Sequence, residues 1–168
     1  EKFYGGRLMT YPSATLDRED LGVSFVHVPG ALGEEGRCDH SEAEARKVVD
    51  LVLEHVVGGS RDSLGVVAFT EPQQVAIMME LERRAAQDHT LAPLLSHSRE
   101  EPFFVKTLDD VQGDERDVII FSTGYCKDRS GRMFRSLGLL SGEIGRRRLN
   151  VAITRARMHI KLVASIGP

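Results

Sequence analysis

The stretch that most constrains this chain is Phe103 to Ser122, FFVKTLDDVQGDERDVIIFS. It opens on an apolar run, Phe103-Phe104-Val105. It then passes through a polar segment from Thr107 to Asp117 and closes on Val118-Ile119-Ile120-Phe121. Apolar runs this short, rich in β-branched and aromatic residues, predict buried strands. The connection between them then leaves Thr107, Gln112, Gly113 and Glu115 at a strand end. In an open α/β sheet, the ends of parallel strands are where ligands bind. The segment reads either as a loop for a nucleotide or nucleic acid, or as a solvated acidic turn.

The rest of the chain alternates around it. Residues 1–20 read as an irregular leading segment broken by Gly5-Gly6 and Pro12. Val23 to Val28 predicts a strand ended by Pro29-Gly30, and Leu64 to Phe69 predicts another. Ser41-Glu42-Ala43-Glu44 has the form of a capping box: the Ser41 hydroxyl would accept from the Glu44 amide while the Glu44 carboxylate reaches back. The helix behind it carries Ala45, Val48, Val49, Val52 and Val56 on one face and stops at Gly58-Gly59. Thr70-Glu71-Pro72-Gln73 is a second capping box, which gives Gln73 a sufficient structural role. Its helix runs to about Gln87 and is followed by a polar connection through Pro93 and Pro102. Residues 123–145 read as a long loop insertion, Arg146 to Ala156 as a helix and His159 to Ala164 as a last strand. This alternation predicts one α/β domain over residues 1–168, a mostly parallel sheet of about five strands with helices on both faces.

At 168 residues, 41% hydrophobic and 28% charged, the chain is long enough for a real core. No apolar run approaches a membrane span and no signal-peptide pattern is present, so a cytoplasmic protein with no membrane partner is expected. The chain starts at Glu1 without a methionine, as a fragment of a larger protein would. Cys38 and Cys126 fit no metal or redox spacing and are expected as free thiols in a reducing compartment. The histidines are scattered, and no metal site is expected. The net charge of −3 is unevenly spread: residues 1–105 carry −8 and residues 106–168 carry +5. Phosphate chemistry therefore belongs in the C-terminal third.

The second informative segment is RRRLNVAITRAR, Arg146 to Arg157. Leu149, Ala152, Ile153 and Ala156 recur at core-facing helical spacing. On such a helix Arg148 and Arg155 would lie nearly one above the other on the flank of that stripe. Together, TLDDVQGDERDVIIFS and RRRLNVAITRAR resemble motifs V and VI of superfamily-one helicases, in the branch that includes nonsense-decay and replication helicases. LGVVAFTEPQQ looks like that family's motif IV, and FYGGRL resembles the segment leading into its second motor domain. FFVKTLDDVQGDERDVI is especially similar to the large bacterial members of the branch.

The resemblance implies a RecA-like second motor domain with the P-loop NTPase type of fold. Such a domain closes over ATP and Mg2+ held mainly by a preceding RecA-like domain. This chain has no G-x-x-x-x-G-K-[ST] of its own. Arg155 matches the family's arginine finger, which would reach the γ-phosphate across the cleft. Gln112, Gly113 and Glu115 match the motif V loop at the nucleotide. Thr107 matches a residue that contacts the nucleic-acid backbone. Thr70 stands where many relatives carry a base-holding aromatic, while Phe69 beside it reads as core. Arg148 and Arg157 are expected to brace the motif. Lys127, Arg129, Arg132 and Arg135 surround Phe134 in the long loop, which reads either as a single-strand contact, with Arg132 and Arg135 binding, or as a solvated loop. The partner implied is single-stranded nucleic acid, DNA before RNA, and the isolated domain is expected to hydrolyse no ATP. Two rivals stay open: a motor that remodels protein–nucleic-acid complexes without unwinding, and an interaction module that has lost the chemistry.

Overall fold

The computed structural model describes residues 21–29, 40–95, 100–127 and 142–166. The leading segment 1–20, Cys38, and Arg129, Arg132, Phe134 and Arg135 of the long loop lie outside the described residues. Five strands, β1 (Gly22–His27), β2 (Leu64–Ala68), β3 (Phe104–Thr107), β4 (Arg116–Ser122) and β5 (Ala156–Ala164), form one sheet in the order β1-β5-β4-β2-β3. Every neighbouring pair is parallel, so the expected mostly parallel sheet is wholly parallel. The helices are α1 (Glu42–Val57), α2 (Glu71–Ala85), the short α3 (Ala92–Leu95) and α4 (Gly142–Ile153).

A strand's side chains alternate between faces, and β2 and β4 use both. Leu64, Val66 and Ala68 with Val118 and Ile120 pack against Ala45, Val48, Val49 and Val52 of α1 and Ile77 and Leu81 of α2. Val67 and Phe69 with Ile119 and Phe121 pack on the other face with Phe104, Leu108, Val111 and Ala152 of α4. Phe69 is therefore core, meeting the edge of Phe121 at 6.0 Å between ring centres. The expected buried face of α1 is present, with Val56 packed at its margin.

Several boundaries differ from the sequence reading. The polar connection after α2 contains a 3₁₀ turn, His89–Leu91, and α3, whose Leu91 and Leu94 are buried in the core. β3 extends to Thr107, and β4 begins at Arg116, inside the segment read as loop. The last helix starts earlier than expected and ends at Ile153, and β5 begins at Ala156. Strand pairing outcompetes the helix there: the Arg116 amide donates to the Arg155 carbonyl at 3.0 Å, and Arg116 pairs with Ala156. Arg155 is thus outside α4 and is not stacked over Arg148 on one helix flank. Ala152 of the expected stripe is buried, but Ile153 is 41% exposed.

Cys126 is disulfide-bonded and buried, which overturns the free-thiol expectation for that residue. The fold brings the chain leaving β4 against the chain entering α1, with the Cys126 Sγ 3.5 Å from the His40 carbonyl oxygen. A juxtaposition between segments so far apart in sequence leaves no mark on cysteine spacing.

Glycine at position 65 is set by close approach. A Cβ there would stand 2.5 Å from the Phe104 ring, whose surroundings also include the Arg116 guanidinium at 4.7 Å. Gly65→Ala should lower stability by about 1–3 kcal/mol through overpacking. Ile120→Ala, at a fully enclosed site, should cost about 2–5 kcal/mol. Val23→Ser on the exposed edge strand should stay within about 0.5 kcal/mol. Urea unfolding of the three variants tests this ranking.

Candidate functional site

Because all strands run the same way, the sheet has one edge of strand starts and one of strand ends. The sequence-predicted residues divide between them. Glu115 immediately precedes β4 and Arg155 immediately precedes β5, at the edge of strand starts. Thr107 ends β3 and Thr70 follows β2, on neighbouring strands at the opposite edge. The connection carrying Gln112 and Gly113 crosses from one edge to the other, since β3 and β4 both run parallel to β2. Thr107 and Glu115 therefore do not share a strand end, contrary to the sequence reading.

Arg155 and Glu115 come together, with Nη1 3.6 Å from Oε1. The rest of the guanidinium is held locally. Nε donates to the Val151 carbonyl at 3.0 Å and Nη2 to the Thr154 hydroxyl at 3.1 Å. The Arg155 side chain keeps 22% of its surface exposed, so its outer nitrogens can turn outwards without disturbing the core. Arg116 anchors the same corner from inside: buried, it donates to the Pro102 and Glu115 carbonyls. Arg148 joins α4 to the crossing connection through Asp109, at 2.9 Å. Gly113 has a φ of +92°, a conformation L side chains rarely adopt, while the space around its missing Cβ is open. Backbone conformation, rather than crowding, asks for glycine there.

A second cluster on the strand-start edge was not predicted. Arg157 contacts Glu101 at 2.8 Å, the Ser63 hydroxyl at 2.9 Å and Asp117 at 3.0 Å. Hydrogen bonding from Arg157, and then from Ser63, brings the Glu101 carboxyl down to about 2. The bracing role expected of Arg157 has this cluster as its physical form. At the other edge, Thr107 is buried and its hydroxyl donates to Asp110 at 2.6 Å. Thr70 caps α2, accepting from the Gln73 amide at 3.3 Å.

Both predicted capping boxes are only half formed. Ser41 accepts from the Glu44 amide at 3.2 Å, as expected, but the Glu44 carboxylate does not return to Ser41. Gln73 of α2 supplies that acceptor instead, taking the Ser41 N–H at 2.6 Å, and donates to the Ser122 hydroxyl at 2.9 Å. Glu44, with no exposed surface, accepts from the Ser122 hydroxyl at 2.9 Å, the Thr123 hydroxyl at 3.2 Å, the Gly124 N–H at 2.9 Å and the Ser165 N–H at 2.7 Å. The signal was in the sequence: Glu44 lies four residues before Val48, within the apolar stripe of α1, where a carboxylate needs internal donors.

A family model described as an AAA domain matches residues 1–166. The chain belongs to that family. Among curated relatives of this AAA domain is an uncharacterized ATP-dependent helicase of Mycoplasma pneumoniae, 36% identical over 96% of this chain and 14% of the relative. Its counterpart in Mycoplasma genitalium, also named an uncharacterized ATP-dependent helicase, is 41% identical over 71% of this chain and 10% of the relative. The chain thus spans about a seventh or less of the length of these relatives. Among solved structures, the C-terminal domain of a possible DNA helicase from Lactobacillus plantarum aligns at a TM-score of 0.48 and 18% identity, covering 84% of this chain and 77% of that one. No helix among the described residues is long and apolar enough to cross a membrane.

The Glu101 shift fixes a pH dependence. Its folded value lies below the ordinary 4.5, so the contribution of the Arg157 pair is complete above 4.5 and is lost as pH falls towards about 2. Glu101 is more than a third exposed, so the effect is small and screened by salt. Acid unfolding of wild type and Glu101→Gln should differ at pH 5 and converge below about pH 2.

Proposed function

We propose that this chain is the second RecA-like domain of an ATP-driven motor of the superfamily-one helicase kind, acting on single-stranded nucleic acid, DNA before RNA. The observation that carries the reading is the Glu115–Arg155 pair, a carboxylate and a planar fork side by side at one edge of the sheet. Membership of the AAA-domain family and the names of the helicase relatives support it. The donor set suits a nucleotide: Glu115 would accept from a ribose hydroxyl, and a guanidinium matches phosphate oxygens in geometry and charge.

In this reading a preceding domain holds most of the nucleotide and its Mg2+, which neutralises phosphate charge. Arg155 would exchange its contacts with Glu115 and Thr154 for the γ-phosphate as the domains close, stabilising charge in transfer. Gln112 and Gly113 would lie along the nucleotide. Arg116, Arg148 and Arg157 would hold the start of β5 so that Arg155 arrives in one place. Nucleic acid would bind at the opposite edge, at Thr70 and Thr107, with Arg132 and Arg135 of the long loop adding phosphate contacts. Thr107 would exchange Asp110 for a phosphate oxygen.

The test is ATP hydrolysis by the full-length protein with and without single-stranded DNA. Strand-stimulated turnover should fall about a thousandfold or more in Arg155→Ala. Arg155→Lys should not restore it, because a point charge replaces a fork. Unchanged hydrolysis in Arg155→Ala would remove the finger assignment. Stimulated hydrolysis without strand displacement would favour remodelling over unwinding. A wild type that binds ATP but never turns it over would point to an interaction module.

A further inference from the structure

The buried polar network around Glu44 and Gln73 has a place in the fold that follows from its connections. Its members come from four places in the fold: Ser41 and Glu44 from the start of α1, Gln73 from the first turn of α2, Ser122 to Gly124 from the end of β4, and Ser165 from beyond β5. No buried side-chain nitrogen or oxygen among the described residues lacks a partner. Glu44 takes its four donors from the last residue of β4 and from the chain just beyond β4 and β5. Gln73 carries the connection to α2, because its amide donates to Thr70 while its side chain binds Ser41 and Ser122. The position of Thr70, two residues beyond the β2 residue that pairs with Thr107, is thereby tied to Glu44 through Ser122 and Gln73.

We infer that Glu44, acting through Ser122 and Gln73, is a positioning residue that sets the strand-end edge for a single-stranded polyphosphate chain. The inference rests on the motor reading for the identity of that ligand. The physical reason is the asymmetry of buried hydrogen bonds. A glutamine at position 44 would lose one acceptor oxygen and turn an N–H₂ towards groups that are themselves donors, leaving buried N–H groups unmatched. The first turns of α1 and α2 would then be free to move relative to β4, and Thr70 would lose its fixed distance from Thr107. The network sits a whole strand's length from Arg155, so the loss should fall on strand binding before it falls on phosphoryl transfer.

The experiment measures ATP hydrolysis by the full-length protein against the concentration of an oligothymidylate, for wild type, Glu44→Gln and Ser122→Ala, with thermal melting of each. Ser122→Ala cuts the connection between Glu44 and Gln73 while keeping the carboxylate and its backbone donors, so it decides the matter if Glu44→Gln does not fold. The half-saturating oligothymidylate concentration should rise about tenfold in Glu44→Gln and about threefold in Ser122→Ala, with maximal turnover within about twofold of wild type. Lower melting temperatures with unchanged half-saturation would make the network a fold element alone and overturn the inference. A fall in maximal turnover with unchanged half-saturation would also overturn it. If hydrolysis by the wild type ignored the oligothymidylate, the motor reading itself would fail, which is distinguishable because no variant is needed to see it.

Discussion

A glutamate side chain with no exposed surface holds the ends of the neighbouring strands β4 and β5 together, and much of the domain depends on it. A carboxylate taken out of water costs several kcal/mol unless its oxygens are matched. Glu44 is matched by two hydroxyls and two backbone N–H groups, all from the ends of β4 and β5. This explains why the helix N-terminus is assembled from two helices. With Glu44 turned inwards, the Ser41 N–H would have no acceptor, and Gln73 of α2 supplies one. The two half-formed capping boxes are therefore one structure, in which each N3 side chain serves a different element from its own.

The sheet then separates two kinds of chemistry by direction alone. Parallel strands put all their starts on one edge, so the arginine and acid groups before β4 and β5 gather there, while hydroxyl groups collect at the strand ends. Arg116 contributes to both fold and site. Its amide pairs with the Arg155 carbonyl, and its guanidinium lies against Phe104, which packs on Gly65. Position 155 is fixed by strand pairing rather than by helix geometry, and a side chain on a turn between helix and strand can project further from the edge than one inside a helix.

Much of this was legible in the chain. The apolar runs at Leu64 to Ala68 and Val118 to Phe121 are fully enclosed strands, and the α1 stripe of Ala45, Val48, Val49 and Val52 is buried as its spacing predicts. What was not legible involved competition between distant partners. The helix signal in LNVAITRA continues through Ala156, but pairing with Arg116 ends it at Ile153. Capping-box residues announce local partners, and burial redirected Glu44 and Gln73 to remote ones. The Glu115–Arg155 contact joins two segments whose local patterns do not mention each other; the family resemblance put both at one nucleotide, and the fold brings them together.

The most direct measurement is a structure of the full-length protein with ADP, Mg2+, aluminium fluoride and an oligothymidylate. The account predicts the Arg155 guanidinium on the fluoride, released from Glu115, with the oligonucleotide backbone at Thr70 and Thr107 on the opposite edge. Arg155 still bound to Val151 and Glu115 while the fluoride sits elsewhere, or the oligonucleotide on the Arg155 edge, would contradict it.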